Sequence, residues 1–594
     1  MKKLFLLTSV FAAALFTACS SDEPAVSGGN DETGNTETHY LAVNVVSTSG
    51  MGASFAQSRA DVDPQDPRTG YENGTADENK VTKVRFYFFD ENDEAVVVKA
   101  GATHNYYDWE EAEDKNFGDG VVDPNVTRQL NAVLVINTKA GDALPAKMLA
   151  VVNPREFLDG RSFDLEDIRA LTSDYATYAN GGTIDFRDND GIGEYHVSKG
   201  NEFPMCNAVY LQDGEIVKAN RITTENYQNT PENAEKNPVN IYVEREVAKV
   251  RVNTGEMTFE GGLLKLKHKV ADNKYDDMTV DGQQIYLKLN GWNVTADLNS
   301  GYLSKRINKS WTNETLGFVW NYPAFFRSYW ADECTDAVNR YINFKDADNC
   351  GFTGDKTFTY CNENAVRTSK TGNQPTKVIL SGKLCDEQGN ALTICEYYGV
   401  KFIEIPDKET GELLPALKAQ VLKYLTEDGT KYYKRTEESG KAIYTPISPA
   451  DITFKTATVA GKLDKNKKGT YYVYPCLTEN NTKIKWYTAA DGESNITGTA
   501  LNNILLNMQH AKIWNTGDTY YYADIEHYGK QKGVVRNHIY DIAVGGIYGF
   551  GTPVWDDEEI IVPEKPEDDD TYIAAKINIL SWRIVPSTVV FDWK

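Results

Sequence analysis

Histidine and methionine are scarce, seven of each in a chain of 594 residues, and cysteine is hardly commoner at eight. The histidines show no H-E-x-x-H or H-x-H spacing, so no histidine metal centre is indicated. No C-x-x-C pair occurs, which removes zinc ribbons and thioredoxin-like redox sites. Apart from Cys19 the cysteines are Cys206, Cys334, Cys350, Cys361, Cys385, Cys395 and Cys476, an odd set that allows at most three bridges and no disulfide framework. Basic charge is also short: Lys and Arg number 62 against 86 Asp and Glu, a net charge of −24. That balance disfavours nucleic acid and anionic membrane surfaces as partners. Phosphate-cradling and nucleophile-elbow motifs are missing from any strand-turn-helix setting, so neither an enzyme nor a cofactor is expected. In DFRDNDGIGE, placing Gly191 at the sixth position of a calcium loop puts Phe186 and Val197 where oxygen donors are needed. The carboxylates from Asp108 to Asp114 read as a solvated acidic loop.

What the chain has instead is β-forming sequence, with 35 Tyr and 45 Gly and little that reads as helix. Lys2 and Lys3 precede an apolar run to Leu15, and Ala18-Cys19 comes next, the layout of a secretory leader with a lipidated cysteine. The run is too short to stay across a membrane. A polar tether from Pro24 to Thr38 leads to HYLAVNVVST, where Leu41, Val43 and Val45 share one face of a strand. Another polar loop, 50–79, holds Arg59-Ala60 and Arg68-Thr69 and isolates that strand from the rest of the chain.

Strand patterns then recur to the end of the chain, among them KVTKVRFYFFD, QLNAVLVINT, AKMLAVVNP, TKVILSGKL and HIYDIAVGGIYGFG. FDLEDIRALTSDYA reads as a short helix with Asp164 as its cap, and DITFKTATVAGKL and GTALNNILLNMQH leave room for two more. The polar stretch 223–237 marks a domain boundary, giving β-sandwich domains at 60–238 and 239–570. An acidic, proline-bearing linker ends near Asp570, and two strands occupy 571–594, divided at Pro586. The last, STVVFDWK, alternates Val589, Phe591 and Trp593 with Val590 and Asp592 up to the final residue. Each terminal strand thus offers three apolar side chains on one face. Three such residues stabilise a groove they fill by roughly 5 to 9 kcal/mol before ordering costs.

The lipidated Cys19, the SRA context of Arg59-Ala60, VTKVRFYFF, LAVVNP, VEREVAKVRV, LNGWNVT, FFRSYWADE, RNHIYDIAVGGIYGFGTP and INILSWRIV together resemble the Bacteroidales fimbrillin family, the type V pilins, in the manner of Mfa-type major subunits. The resemblance runs over nearly the whole chain. It implies a mainly β fold of two transthyretin-like β-sandwich domains with short helices in loops, plus a C-terminal donor strand. It further implies a leader over 1–19 with lipid on Cys19, a propeptide over 20–59, and cleavage by an Arg-specific protease between Arg59 and Ala60, with Arg68 a competing site. Leu41, Val43 and Val45 would leave with the propeptide, and a neighbour's Val589, Phe591 and Trp593 would take their place. The implied function is a stalk subunit of an adhesive surface fimbria, its partners being other copies, anchor and tip subunits and the protease, with the membrane met only through the precursor's lipid. A tip or accessory adhesin and a surface glycan-binding lipoprotein are the alternatives.

Overall fold

The computed structural model describes residues 36–48, 78, 80–110, 126–139, 143–174, 203–212, 215–255, 257–271, 274–307, 331–332, 334, 337–354, 356–364, 373–456, 472–527, 531–557, 561, 572–581 and 584–589. For 572–581 and 584–589, and at the ends of 36–48 and 126–139, the backbone alone is described. About half of these residues lie in strands and few in helices, the mainly β fold that the sequence predicts.

The first sheet is built from β1 (Thr36–Thr48), β2 (Lys83–Phe89), β3 (Tyr106–Glu110), β4 (Val126–Lys139), β5 (Lys147–Val152), β6 (Met205–Asn207) and β7 (Val239–Arg245). Its strands run in the spatial order β4-β1-β7-β6-β5-β2-β3. Alternation sends Val84, Phe86 and Phe88 of β2, Leu130, Ala132, Leu134 and Ile136 of β4, and Met148, Ala150 and Val152 of β5 into one core. On the other face of β2 and β5, Tyr87, Phe89, Leu149 and Val151 pack under α1 (Leu165–Ala170) through Leu165 and Ile168. Asp164 precedes α1 as expected, yet its carboxylate accepts the Ala95 N–H at 2.8 Å rather than capping the helix.

At Glu246 the chain passes without a loop from β7 into β8 (Val247–Asn253), which belongs to a second assembly of strands. Thus β7, which the polar stretch 223–237 suggested as the start of the next domain, pairs instead with β1 and β6. One sheet of the second sandwich runs β10 (Phe358–Asn362), β8, β13 (His538–Tyr548), β14 (Tyr572–Ser581) and β15 (Ile584–Val589). The facing sheet is centred on β9 (Tyr286–Thr295), β11 (Lys377–Cys385) and β12 (Asp518–Asp524). Val250, Trp292, Leu380, Tyr521 and Ile542 fill the space between them.

Between β11 and β12 lies a further unit with its own core. Its five-stranded sheet carries Cys395, Phe454, Val473 and Ile513 against Leu417, Val421 and Leu425 of the helix Pro415–Leu425 and Leu501 and Leu505 of the helix Gly498–Leu506. The second helix falls where the sequence leaves room for one. The first is not among the expected helices, although Leu417, Val421 and Leu425 repeat at four-residue spacing behind a proline at the first turn. DITFKTATVAGKL begins as a strand, Ile452–Thr456, because its burial alternates with period two. All seven cysteines described are buried and none is bonded to another.

Candidate assembly groove and domain junction

β1 is an interior strand. On one side it pairs antiparallel with β4 along its whole length, and on the other it pairs parallel with β7 from Val43↔Val239 to Ser47↔Val243. Further back, Leu41 is opposite Tyr227, and α2 (Pro231–Ala234) occupies the chain between those two partners. Leu41, Val43 and Val45, the three residues singled out in the sequence, are brought together with at most 1% of their surface exposed. Ala42, on the opposite face, is buried too. Asn44 Nδ2 donates to Asn240 Oδ1 of β7 at 2.9 Å. Withdrawing β1 would leave an apolar slot between β4 and β7, edged by backbone groups that had been paired to it.

The residues before and after that slot are fastened at the junction of the two strand assemblies. There Glu78, Glu244, Glu246 and Glu363 are buried with Arg245, Lys249, Lys305 and Arg536, four anions with four cations. Lys249 Nζ donates to Glu78 Oε1 at 2.8 Å, the Tyr360 hydroxyl donates to the same oxygen, and Arg245 Nε donates to the Glu78 carbonyl at 3.0 Å. Arg536 Nε donates to Glu363 Oε2 at 2.8 Å, and its Nη1 and Nη2 donate to the Leu303 and Tyr302 carbonyls. Lys305 reaches Glu244 at 3.3 Å. Burial pushes the Glu78 carboxyl up, but Lys249, Tyr360 and Arg245 together hold it below the usual carboxylate range. Burial pulls Arg245 down to about 10 against the opposing pull of Glu78. A short ladder adds backbone bonds across the junction, Thr172–Asp174 pairing with Ser300–Tyr302.

VEREVAKVRV and VVRNHIYD supply most of this network, although their alternation reads simply as strand. A signal is present in the sequence: Glu244, Arg245, Glu246 and Lys249 stand among the apolar residues Val243, Val247, Ala248 and Val250 of two adjoining strands. Asp108, expected in a loop, stands in β3 and accepts Arg85 Nε and Nη2 at 2.6 and 2.8 Å.

At the C-terminal end, β14 pairs antiparallel with β13 from Tyr548↔Tyr572 to His538↔Ser581, and β15 folds back on β14. Pro586, expected to divide two elements, lies inside β15 opposite Asn578. It is tolerated there because β15 is the outermost strand of its sheet among the described residues. Val589 ends β15, whereas Phe591, Trp593, Arg59, Ala60, Arg68 and Cys19 lie outside the described residues. Among the described residues no group of three or more His, Cys, Asp or Glu is arranged to hold a metal, and no helix is long and apolar enough to cross a membrane.

Residues 508–587, from the last strand of the inserted unit to β15, match the family model described as major fimbrial subunit protein type IV, fimbrillin, C-terminal. No curated protein matches in sequence. Among solved structures the chain is similar to the tip fimbrial protein Mfa3 from Porphyromonas gingivalis, at 12% identity and a TM-score of 0.30 over 92% of this chain and 100% of that one. It is similar to a fimbrilin, FimA, from the same organism at 13% identity and a TM-score of 0.29, covering 88% and 96%. A fimbrial assembly protein from Parabacteroides distasonis matches at 12% identity and 0.27, covering 64% and 99%. Scores this low carry no weight for the fold, so the likeness to fimbrillins rests on the segment 508–587.

Proposed function

We propose that this chain, whose C-terminal region is that of the fimbrillins, is the stalk subunit of a cell-surface adhesive fimbria, made as a lipoprotein on Cys19 and polymerised by strand exchange. Cleavage after Arg59, or after Arg68 in the same loop, separates β1 from the body of the protein and opens the slot between β4 and β7. A C-terminal strand of the next copy then enters it. The observation that carries this reading is the position of β1, an interior strand with Leu41, Val43 and Val45 in the core, yet joined to β2 by a long polar segment that holds both arginines. An interior strand on so long a leash is costly to close entropically and simple to release by one cut. Strand addition to an open edge gives both main-chain bonds and side-chain pockets, which is what a fibre contact needs.

The test is to treat purified precursor with an Arg-specific protease and follow it by electron microscopy. Filaments are expected after cleavage and none before; a cleaved protein that stays monomeric sinks the stalk reading and leaves a tip or accessory role.

A further inference from the structure

We propose that the strand which replaces β1 is β14 of a second copy, in the register that sets Asn578 in the place of Asn44; this rests on the strand-exchange reading and specifies it. Val43-Asn44-Val45-Val46-Ser47 of β1 is matched, position for position, by Ile577-Asn578-Ile579-Leu580-Ser581 of β14. Asn578 is the single asparagine in 572–594. In β1 that residue meets a partner, since Asn44 donates to Asn240 Oδ1 at 2.9 Å from the directly opposed position on β7. An amide brought to the same place restores the bond, and reading β14 in the same direction as β1 keeps the parallel pairing with β7 and the antiparallel pairing with β4.

Volume at Val43 and Val45 separates β14 from the end of the chain, although the same register sets the smaller Ala575 at the place of Leu41. Val43 and Val45 are 0% and 1% exposed in a core shared with β2, β4, β5 and β7. Ile577 and Ile579 each add one methylene there, whereas Phe591 and Trp593 in the corresponding register would force aromatic rings into space shaped by valine. The same register puts Lys576 at the place of Ala42, where the partner of β1 changes from Tyr227 to Val239 and α2 bridges the two. Glu232 in α2 and Glu235 just after it are exposed carboxylates on the element that bridges those two partners. Entry of β14 into a neighbour gives up its own pairing, in which Asn578 stands opposite Asp541 of β13 and Pro586 of β15.

The full-length precursor carrying Asn240→Cys and Asn578→Cys is cleaved, oxidised and run without reductant, the buried native thiols being silent. A ladder of covalent multimers that appears only after cleavage is expected, with none from the pair Asn240→Cys and Asp592→Cys. A ladder from the Asp592 pair alone overturns the register and moves the donor to the last strand, leaving strand exchange intact. Filaments without a ladder from either pair overturn both, and unmutated protein that never assembles overturns the exchange itself. To avoid dependence on the folding of variants, peptides 572–583 and 584–594 are added to cleaved unmutated protein. The first is expected to stop filament growth at concentrations where the second does not, and the reverse result overturns the proposal.

Discussion

A carboxylate as deeply buried as Glu78 remains an anion because Lys249, Tyr360 and Arg245 converge on it. Its lowered pKa fixes the sign of its pH effect: the stability it contributes is complete above the ordinary carboxylate range and is lost as the pH falls through the lowered value. Lys249→Met removes the cation hydrogen-bonded to that carboxylate and is expected to cost about 3 to 5 kcal/mol, measured by urea unfolding at pH 7, with the Glu78→Gln/Lys249→Met pair costing less than the single change. Asp297 has the opposite sign. Burial pushes its carboxyl up to about 7 despite Arg340 and the N–H groups of Asn362 and Leu298, which donate to it at 3.0 and 2.8 Å. The folded chain therefore holds this proton at pH values where the unfolded chain has released it, and stability falls as the pH rises from the ordinary Asp value to about 7. Asp297→Asn keeps an oxygen that accepts both N–H groups; the melting temperature of the variant, relative to unmutated protein, should rise across that window. A flat difference would remove Asp297 as a titrating group.

Among elements, β1 is a core strand of the intact chain, and under the strand-exchange proposal it becomes removable after cleavage. Leu41→Ala in the uncleaved precursor is expected to cost about 2 to 5 kcal/mol, as for other fully buried leucines. The same substitution should have no effect on stability once the propeptide has been cut away and exchanged. Equal effects in calorimetry before and after cleavage would mean that β1 never leaves. β14 and β15 pair on β13, so the hairpin covers that sheet edge, and Pro586 on the outermost described strand discourages further pairing.

At the scale of the molecule, the charged junction ties the first sheet to the second sandwich, beside apolar contacts made by Val247 and Leu303. Under the stalk proposal a subunit pulled from both ends needs that connection to be stiff, and a hydrogen-bonded charge network resists bending because each bond is directional. Arg536→Met removes the guanidinium that holds Glu363 and the Tyr302 and Leu303 carbonyls together. Differential scanning calorimetry should then show the unfolding of the two halves drawing apart by several degrees relative to the unmutated chain. A single unbroken transition in the variant would assign the coupling to backbone pairing alone.

The range of the forces involved decides how much of the fold and of the groove is legible in the sequence. Alternation along β1, β2, β4 and β5 is a property of neighbouring residues, so the inward faces, including Leu41, Val43 and Val45, can be read from the sequence, as can the scarcity of helix and the missing catalytic motifs. The helix at Pro415–Leu425 is legible as well, by its four-residue spacing, but is obscured by the strands around it. Which strand lies beside which is not legible, because a period of two leaves pairing open: β7 could join either assembly, and β14 either its own sheet or another's. The tertiary structure alone decided that Glu78, Tyr360, Glu363 and Arg536, far apart in the chain, surround the charges of VEREVAKVRV. Sequence by itself determined the strand faces and the charges; only folding determined the partners, because pairing and charge burial depend on contacts between residues hundreds of positions apart.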